Sequence, residues 1–461
     1  MAKFIFLLAL VVAGAGVWYW LQSPELSIPQ LDPDEWWGPK ELRGRFDKSI
    51  QPFKVKFDAE MIKDLRHRLT NRRAFAPPLE GVAFEYGFNS KQLDIWADYW
   101  AKEYNFTKQE RFLNRYPHFK TFIQGLDIHF IRVKPQVPTG VKVLPLLLVH
   151  GWPGSVREFY EAIPLLTTPR PRYDFVFEVI IPSLPGYGFS DASARPGLGL
   201  PQTAVIFKNL MSRLGHKKFY VQGGDWGAGV IASLSTLYPD DILGQHSNCA
   251  VVQQPASMLK MIVGSFFPSL VVEPHLADRI YPLSDFFSNL LEESGYFHLQ
   301  STKPDTIGIA LNDSPSGLLA YILEKFTTWT NKNNKFKSDG GLEASYPRDK
   351  LIDNIMLYWA TNKITSSMRY YAENMSRKVK ELNLDLIKTP VPLWAYQAKH
   401  ELFYNPPGIL RQKYINLINV TISDEGGHFL ALEKPEALTE DVFRAVKAFI
   451  EFHARKQKTE L

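Results

Sequence analysis

The period of the hydrophobic positions changes repeatedly along the chain, and each change marks a different kind of element. From Phe4 to Leu21 the run FIFLLALVVAGAGVWYWL is uncharged over 18 residues. At helical rise it spans about 27 Å, close to the hydrocarbon thickness of a bilayer. Lys3 precedes it and Trp18, Tyr19 and Trp20 close it as an interfacial aromatic cluster. A single transmembrane anchor is therefore expected over residues 4–21. The same residues also read as a cleaved signal peptide, with Ala13-Gly14-Ala15 as its small-residue site. Acidic residues and prolines punctuate residues 22–40, and the pair Trp36-Trp37 predicts a linker that packs onto the body.

Helical periodicity follows. Asp58 is placed to cap a helix with Met61, Leu65 and Leu69 on one face, and Asn89 to cap another carrying Leu93, Trp96 and Trp100. Within the segment 22–118 these helices are expected to shield an outer surface of the core. From Phe119 the period drops to two around Gly125, predicting a hairpin with Ile128, Phe130 and Arg132 on one face. Continuous apolar runs at 144–149 and 175–181 suit strands buried on both faces of a parallel sheet. Another strand, 218–222, ends in Gly223-Gly224-Asp225-Trp226-Gly227 and runs into a small-residue helix over 228–237. Helical stretches at 283–293, 318–328 and 351–374 then replace the sheet pattern. Strands resume at 391–398 and 418–422, and a helix over 435–455 closes the chain. The whole reads as a doubly wound α/β core, residues 119–250 and 386–461, interrupted by a helical cap at 251–385.

With 45% hydrophobic residues a sizeable core is available, so the chain is globular. A net charge of +5 is spread along the chain, without a basic stripe, which argues against a nucleic-acid partner. The lone cysteine, Cys249, cannot form an intrachain disulfide and fits a reducing compartment. Sequons at Asn105, Asn312, Asn374 and Asn419 point the other way.

The chemistry begins at Asp225, the apex of a strand-to-helix turn flanked by glycines, where a side chain is exposed over a helix N-terminus. Alone, such an aspartate reads equally well as a helix cap. The context is His150-Gly151-Trp152-Pro153 directly after an apolar strand, a loop able to aim backbone amides at the elbow. The amides of Trp152 and Trp226 are the expected oxyanion donors, and His150 is expected to orient the loop. Late in the chain, His428 in Gly-Gly-His-Phe stands where this fold delivers a base. Glu401, after the 391–398 strand, is the expected orienting acid, with Asp424 as its rival.

A carboxylate nucleophile gives a stable ester only by attack on saturated carbon, so the substrate carries a leaving group on carbon. Epoxides and haloalkanes both qualify. An epoxide oxygen needs a proton donor, and tyrosines of the cap, Tyr296 in Glu-Ser-Gly-Tyr and Tyr370 or Tyr371 in Arg-Tyr-Tyr, could supply it. Each could equally be packing material.

With HGWPGS, GGDWG, ESGY, RYY and GGHF in this order, the whole chain resembles the microsomal epoxide hydrolases. The resemblance implies an α/β-hydrolase fold with Asp225 as nucleophile, His428 as general base, Glu401 as its acid, Tyr296 and Tyr371 as proton donors and Trp152 in the oxyanion loop. The loop Pro182-Ser183-Leu184-Pro185-Gly186-Tyr187-Gly188-Phe189-Ser190 resembles the family's loop beside the site, where a structural role is expected. Within the family the sequence is most similar to the insect juvenile hormone enzymes. That implies a lipophilic epoxide and water as partners, no metal or cofactor, and a microsomal membrane with the catalytic part facing the cytosol. Counting charges beside the apolar run, by contrast, leaves the N-terminus in the cytosol. A xenobiotic-epoxide hydrolase, a haloalkane dehalogenase and a non-catalytic terpenoid binder are the other readings.

Overall fold

The protein is described here by a computed structural model covering Gly14, residues 26–45 and residues 47–459. Apart from Gly14, the expected anchor at 4–21 lies outside the described residues. Among the described residues no helix is long and apolar enough to cross a membrane.

Nine strands form one sheet in the order β1-β2-β3-β5-β4-β6-β7-β8-β9. They are β1 (Ile50–Phe53), β2 (His118–Ile123), β3 (Leu126–Val133), β4 (Lys142–Val149), β5 (Phe175–Pro182), β6 (Phe219–Gly223), β7 (Ile242–Ser247), β8 (Leu393–Gln397) and β9 (Leu417–Ile422). From β1 to β5 the neighbours are antiparallel, and from β5 to β9 they are parallel. The hairpin β2–β3 turns through Gln124 and Gly125, both at positive φ, pairing Ile123 with Leu126. Every residue of β5 and β6 is buried, as continuous apolar runs demand of two-sided strands.

Two strands escape the sequence reading. In β1, Pro52 interrupts the pattern, tolerable because this strand lies at the sheet edge. In β7 the sequence Gln245-His246-Ser247 hides a buried strand that is tied to neighbouring elements through some of its polar groups. Gln245 accepts from the Ser235 hydroxyl at 2.7 Å, and His246 lies 3.1 Å from Asp441. The helix expected over 351–374 is in fact two, Arg348–Trp359 and Ile364–Asn374, separated where Asn362 adopts positive φ. Periodicity carries across that turn because both pieces bury the same kind of face, with no Gly or Pro to mark the break.

Asp58 and Asn89 do cap their helices, Ala59–Thr70 and Ser90–Asp98, accepting from backbone amides in the first turn. Those helices brace the cap rather than simply shielding the core. The Trp100 indole N–H points at the Met356 sulfur at 3.3 Å, Tyr99 donates to Asp349, and Tyr104 donates to Asp353. Asp353 also receives the buried Arg157 guanidinium at 3.1 Å, so the N-terminal segment, the core and the cap meet in one polar knot. The linker packs as expected: Trp37 is buried, and its amide donates to the Gln124 carbonyl at 2.8 Å.

Candidate active site

The floor of the site is set by close backbone approaches. Asp225 sits between β6 and the helix Trp226–Leu237 at φ 49° and ψ −129°, a strained conformation that aims its carboxylate away from the turn. The neighbouring glycines are required sterically. A Cβ at Gly227 would run into the Val149 carbonyl, and one at Gly151 into the Asp225 carboxylate itself. The Trp152 amide donates to Asp225 Oδ1 at 2.7 Å. Trp226 opens the helix one residue on, and no hydrogen bond from its amide to Asp225 is among those described.

His150 holds this loop. Its Nε2 accepts from the Leu184 amide at 3.1 Å while Nδ1 faces the Gly151 carbonyl at 3.0 Å, a pairing that assigns the proton to Nδ1. Burial pushes its pKa down to about 4, so the ring is neutral and structural. Leu184 belongs to the 182–190 loop, which also binds the cap through Tyr187 and Ser366, consistent with a structural role.

His428 lies between two carboxylates. Nδ1 is 2.7 Å from Glu401 Oε1 and Nε2 is 3.4 Å from Asp225 Oδ2. Burial disfavours its charged form, yet the two carboxylates outweigh that and hold its pKa well above the ordinary histidine value. Asp424, the rival acid, is exposed and pairs with Arg279 at 3.3 Å. Glu433, which the sequence reading missed, fixes the histidine loop by accepting from the amides of Gly427 and Phe429. Gly427 is there because the cap comes close: a Cβ would meet the Trp329 and Thr330 carbonyls. The His428 amide donates to the same Trp329 carbonyl at 2.9 Å, so the cap touches this loop directly.

The roof is aromatic. Tyr296, on the helix Gly295–Thr302, stacks on the Trp152 ring at 5.3 Å and 6° between planes. Tyr371, on Ile364–Asn374, meets Trp226 edge-on at 4.7 Å and Tyr296 edge-on at 5.9 Å. Burial and the nearby Asp225 charge push both phenols far above their ordinary pKa, so they remain protonated donors. Tyr370 turns the other way, its hydroxyl 2.9 Å from Thr203 Oγ1, which separates it from its neighbour.

Cys249, Glu401 and His428 come within 4.8 Å of one another. Burial and two carboxylates hold the Cys249 thiol well above its ordinary pKa, and the Glu401 to His428 bond spends a donor atom of each, a poor set for a metal. Two further groups missed in the sequence, Glu158 and Asn248, line a small cavity against Asp225 and His428. Glu158 stands four residues after Gly154 in the HGWPGS loop, and that spacing was the available signal.

Residues 50–159 match the family model described as epoxide hydrolase N terminus, and residues 145–387 match the alpha/beta hydrolase fold. The chain is 56% identical over 458 residues to the juvenile hormone epoxide hydrolase of Bombyx mori, covering 99% of each. It is 46% identical to epoxide hydrolase 1 of Sus scrofa, over 92% of this chain and 94% of the relative. The crystal structure of the Bombyx mori enzyme superposes with a TM-score of 0.91 at 58% identity, over 92% of this chain and 100% of that one. The epoxide hydrolase of Aspergillus niger superposes with a TM-score of 0.72 at 27% identity, over 87% and 96%. On this evidence the chain belongs to the microsomal epoxide hydrolase family, built on the α/β-hydrolase fold.

Proposed function

We propose that this enzyme hydrolyses lipophilic epoxides, juvenile hormone foremost, through an ester on Asp225. The observation that carries the reading is the alignment of Glu401, His428 and Asp225 under two protonated cap phenols. The free oxygen Oδ2 of Asp225 attacks an epoxide carbon, that carbon's bond to the ring oxygen breaks, and Tyr296 or Tyr371 protonates the oxygen. Oδ1 stays under the Trp152 amide and becomes the ester carbonyl.

Esterification removes the Asp225 charge, one of the two charges that raise His428, so its affinity for a proton falls. That proton passes through solvent to the tyrosinate, leaving His428 as a base. His428 then takes a proton from water, the hydroxide attacks the Asp225 carbonyl carbon, and the oxyanion forms at the Trp152 amide. On collapse the acyl–oxygen bond breaks and the leaving alkoxide takes the proton of the new carboxyl group. The diol departs, and the carboxylate and charged His428 are restored.

His428→Gln separates the two steps. It should leave alkylation intact and trap the ester, seen by intact mass as one substrate added at Asp225. Failure to find an adduct with a turned-over epoxide overturns the two-step scheme.

The same reading puts residues 4–21 in the endoplasmic reticulum membrane with the catalytic part in the cytosol. Besides the apolar run itself, the cap's outer edge supports it. Helix Pro255–Gly264 buries only Ser257 and Gly264 and exposes Met258, Leu259, Ile262 and Val263, followed by Phe266 and Phe267. Lys260 is the one charge between residues 251 and 272, a composition suited to lipid contact. Retention in the pellet after alkaline carbonate extraction, with the catalytic part digested by protease added to intact microsomes, is the expected result.

A further inference from the structure

The geometry points to Glu158 as a positioning residue that, with Asn248, holds the water His428 activates for hydrolysis of the Asp225 ester. This rests on the ester mechanism above and adds to it the site from which water attacks.

Glu158 lies in the short helix Val156–Phe159 that follows the HGWPGS loop. Its side chain folds back over that loop into the space a side chain on residue 154 would take; glycine there leaves the room. The carboxyl group faces a cavity lined also by Trp152, Asp225, Asn248 and His428. Free space for the centre of a water molecule is about 10 Å³, which corresponds to roughly one water. That water needs polar partners, and the lining supplies them. His428 Nε2 accepts its proton, Asn248 can donate from its amide, and Glu158 supplies a third group.

Asn248 is oriented for this. Gln222 donates to its Oδ1 at 2.8 Å, which leaves the amide nitrogen turned toward Gly224, next to Asp225. Among the described residues no Lys or Arg forms a salt bridge with Glu158, whose carboxyl group feels the charges of His428 and Asp225. Burial, aided by Asp225, pushes its carboxyl pKa up to about 8, against the opposing pull of His428 and Ser155. A carboxyl group that keeps its proton can donate to the water oxygen or accept from its hydrogen, whichever orientation attack requires. A fixed partner for the nucleophile saves the ordering that attack from bulk solvent would cost. The step is the hydrolysis already described: one water proton goes to His428 Nε2, the oxygen bonds to the Asp225 carbonyl carbon, and the acyl–oxygen bond breaks.

The test is single-turnover kinetics on the full-length enzyme with a chromogenic styrene-type epoxide, alkylation and ester hydrolysis being resolved by quenching and intact mass. Glu158→Leu should leave alkylation within about twofold and slow ester hydrolysis about a hundredfold, so that the ester accumulates. Glu158→Gln, which can still hydrogen-bond water, should recover part of that loss, and Asn248→Ala should slow the same step. Equal slowing of both steps would mean that Glu158 only supports the loop, and unchanged hydrolysis in Glu158→Leu would remove it from the reaction; either result overturns the assignment. If His428→Gln traps no ester, the mechanism beneath it fails instead, and the two failures are thereby distinguished.

Discussion

The floor and the roof of this site are built on opposite principles. The floor, from the sheet, is polar and fixed by backbone contacts: Asp225 under the Trp152 amide, His428 against Glu401, the histidine loop tied by Glu433. Each group has one task and one position. The roof, from the cap, is a cluster of stacked and edge-on rings whose two phenols share one place above Asp225. Polar groups in a low dielectric need directional partners, whereas ring packing tolerates small shifts and can admit a long apolar substrate. On the proposed mechanism the floor carries the bond making, and the roof carries proton donation and the fit of the substrate.

Breaking the floor should cost most. Asp225→Ala should lower diol formation by at least about 10⁴-fold with the fold intact, measured as kcat on the purified enzyme together with its circular dichroism. Residual turnover at wild-type rate would end the comparison at once. The roof should show redundancy instead. Tyr296→Phe or Tyr371→Phe alone should cost about tenfold, and the double variant about 10³-fold, read in the alkylation step. If one single variant equals the double, the phenols are not interchangeable.

Acid should act on two buried histidines, His150 in the floor and His118 on β2. His118 and His150 are held neutral by burial, with pKa values pushed down to about 4. As pH falls through the ordinary value near 6.5, the unfolded chain binds these protons first. Their contribution is thus complete above about pH 6.5 and lost between there and pH 4, by about 3 kcal/mol for each histidine. Thermal midpoints measured from pH 7.5 to 4.5 should fall over this window, and His118→Gln should flatten part of the slope. The smallest effect belongs to Tyr370→Phe, whose hydroxyl is spent on Thr203. Its kcat should stay within about threefold of wild type, and a loss as large as that of Tyr371→Phe would redraw the roof.

Most of the floor was legible in the chain because its parts are short and local. An apolar strand, a glycine-flanked aspartate and a small-residue helix are contiguous, and the steric need for glycine leaves a visible mark. The 351–374 break and strand β7 were not legible. Neither carries its signal locally: the chain turns at Asn362 between two helices without Gly or Pro, and β7 is tied to Ser235 on the preceding helix and to Asp441, far away in sequence. Glu158 and Asn248 were missed for a similar reason, since a carboxyl or amide becomes informative only when its surroundings are known.

By itself the sequence determined the hydrolase sheet, the inserted cap, the order of the Asp, Glu and His and the residue classes above them. These follow from periodicity and from residues within a few positions of one another. Spacing left Asp424 and Tyr370 as alternatives that the family resemblance ranked; the tertiary structure set Glu401 beside His428, turned Tyr370 away from Tyr371, and brought Glu158 to the cavity beside His428. Those choices depend on direction and distance between segments far apart in the chain, and a hydrogen bond discriminates at a scale of tenths of an ångström that spacing along the sequence does not encode.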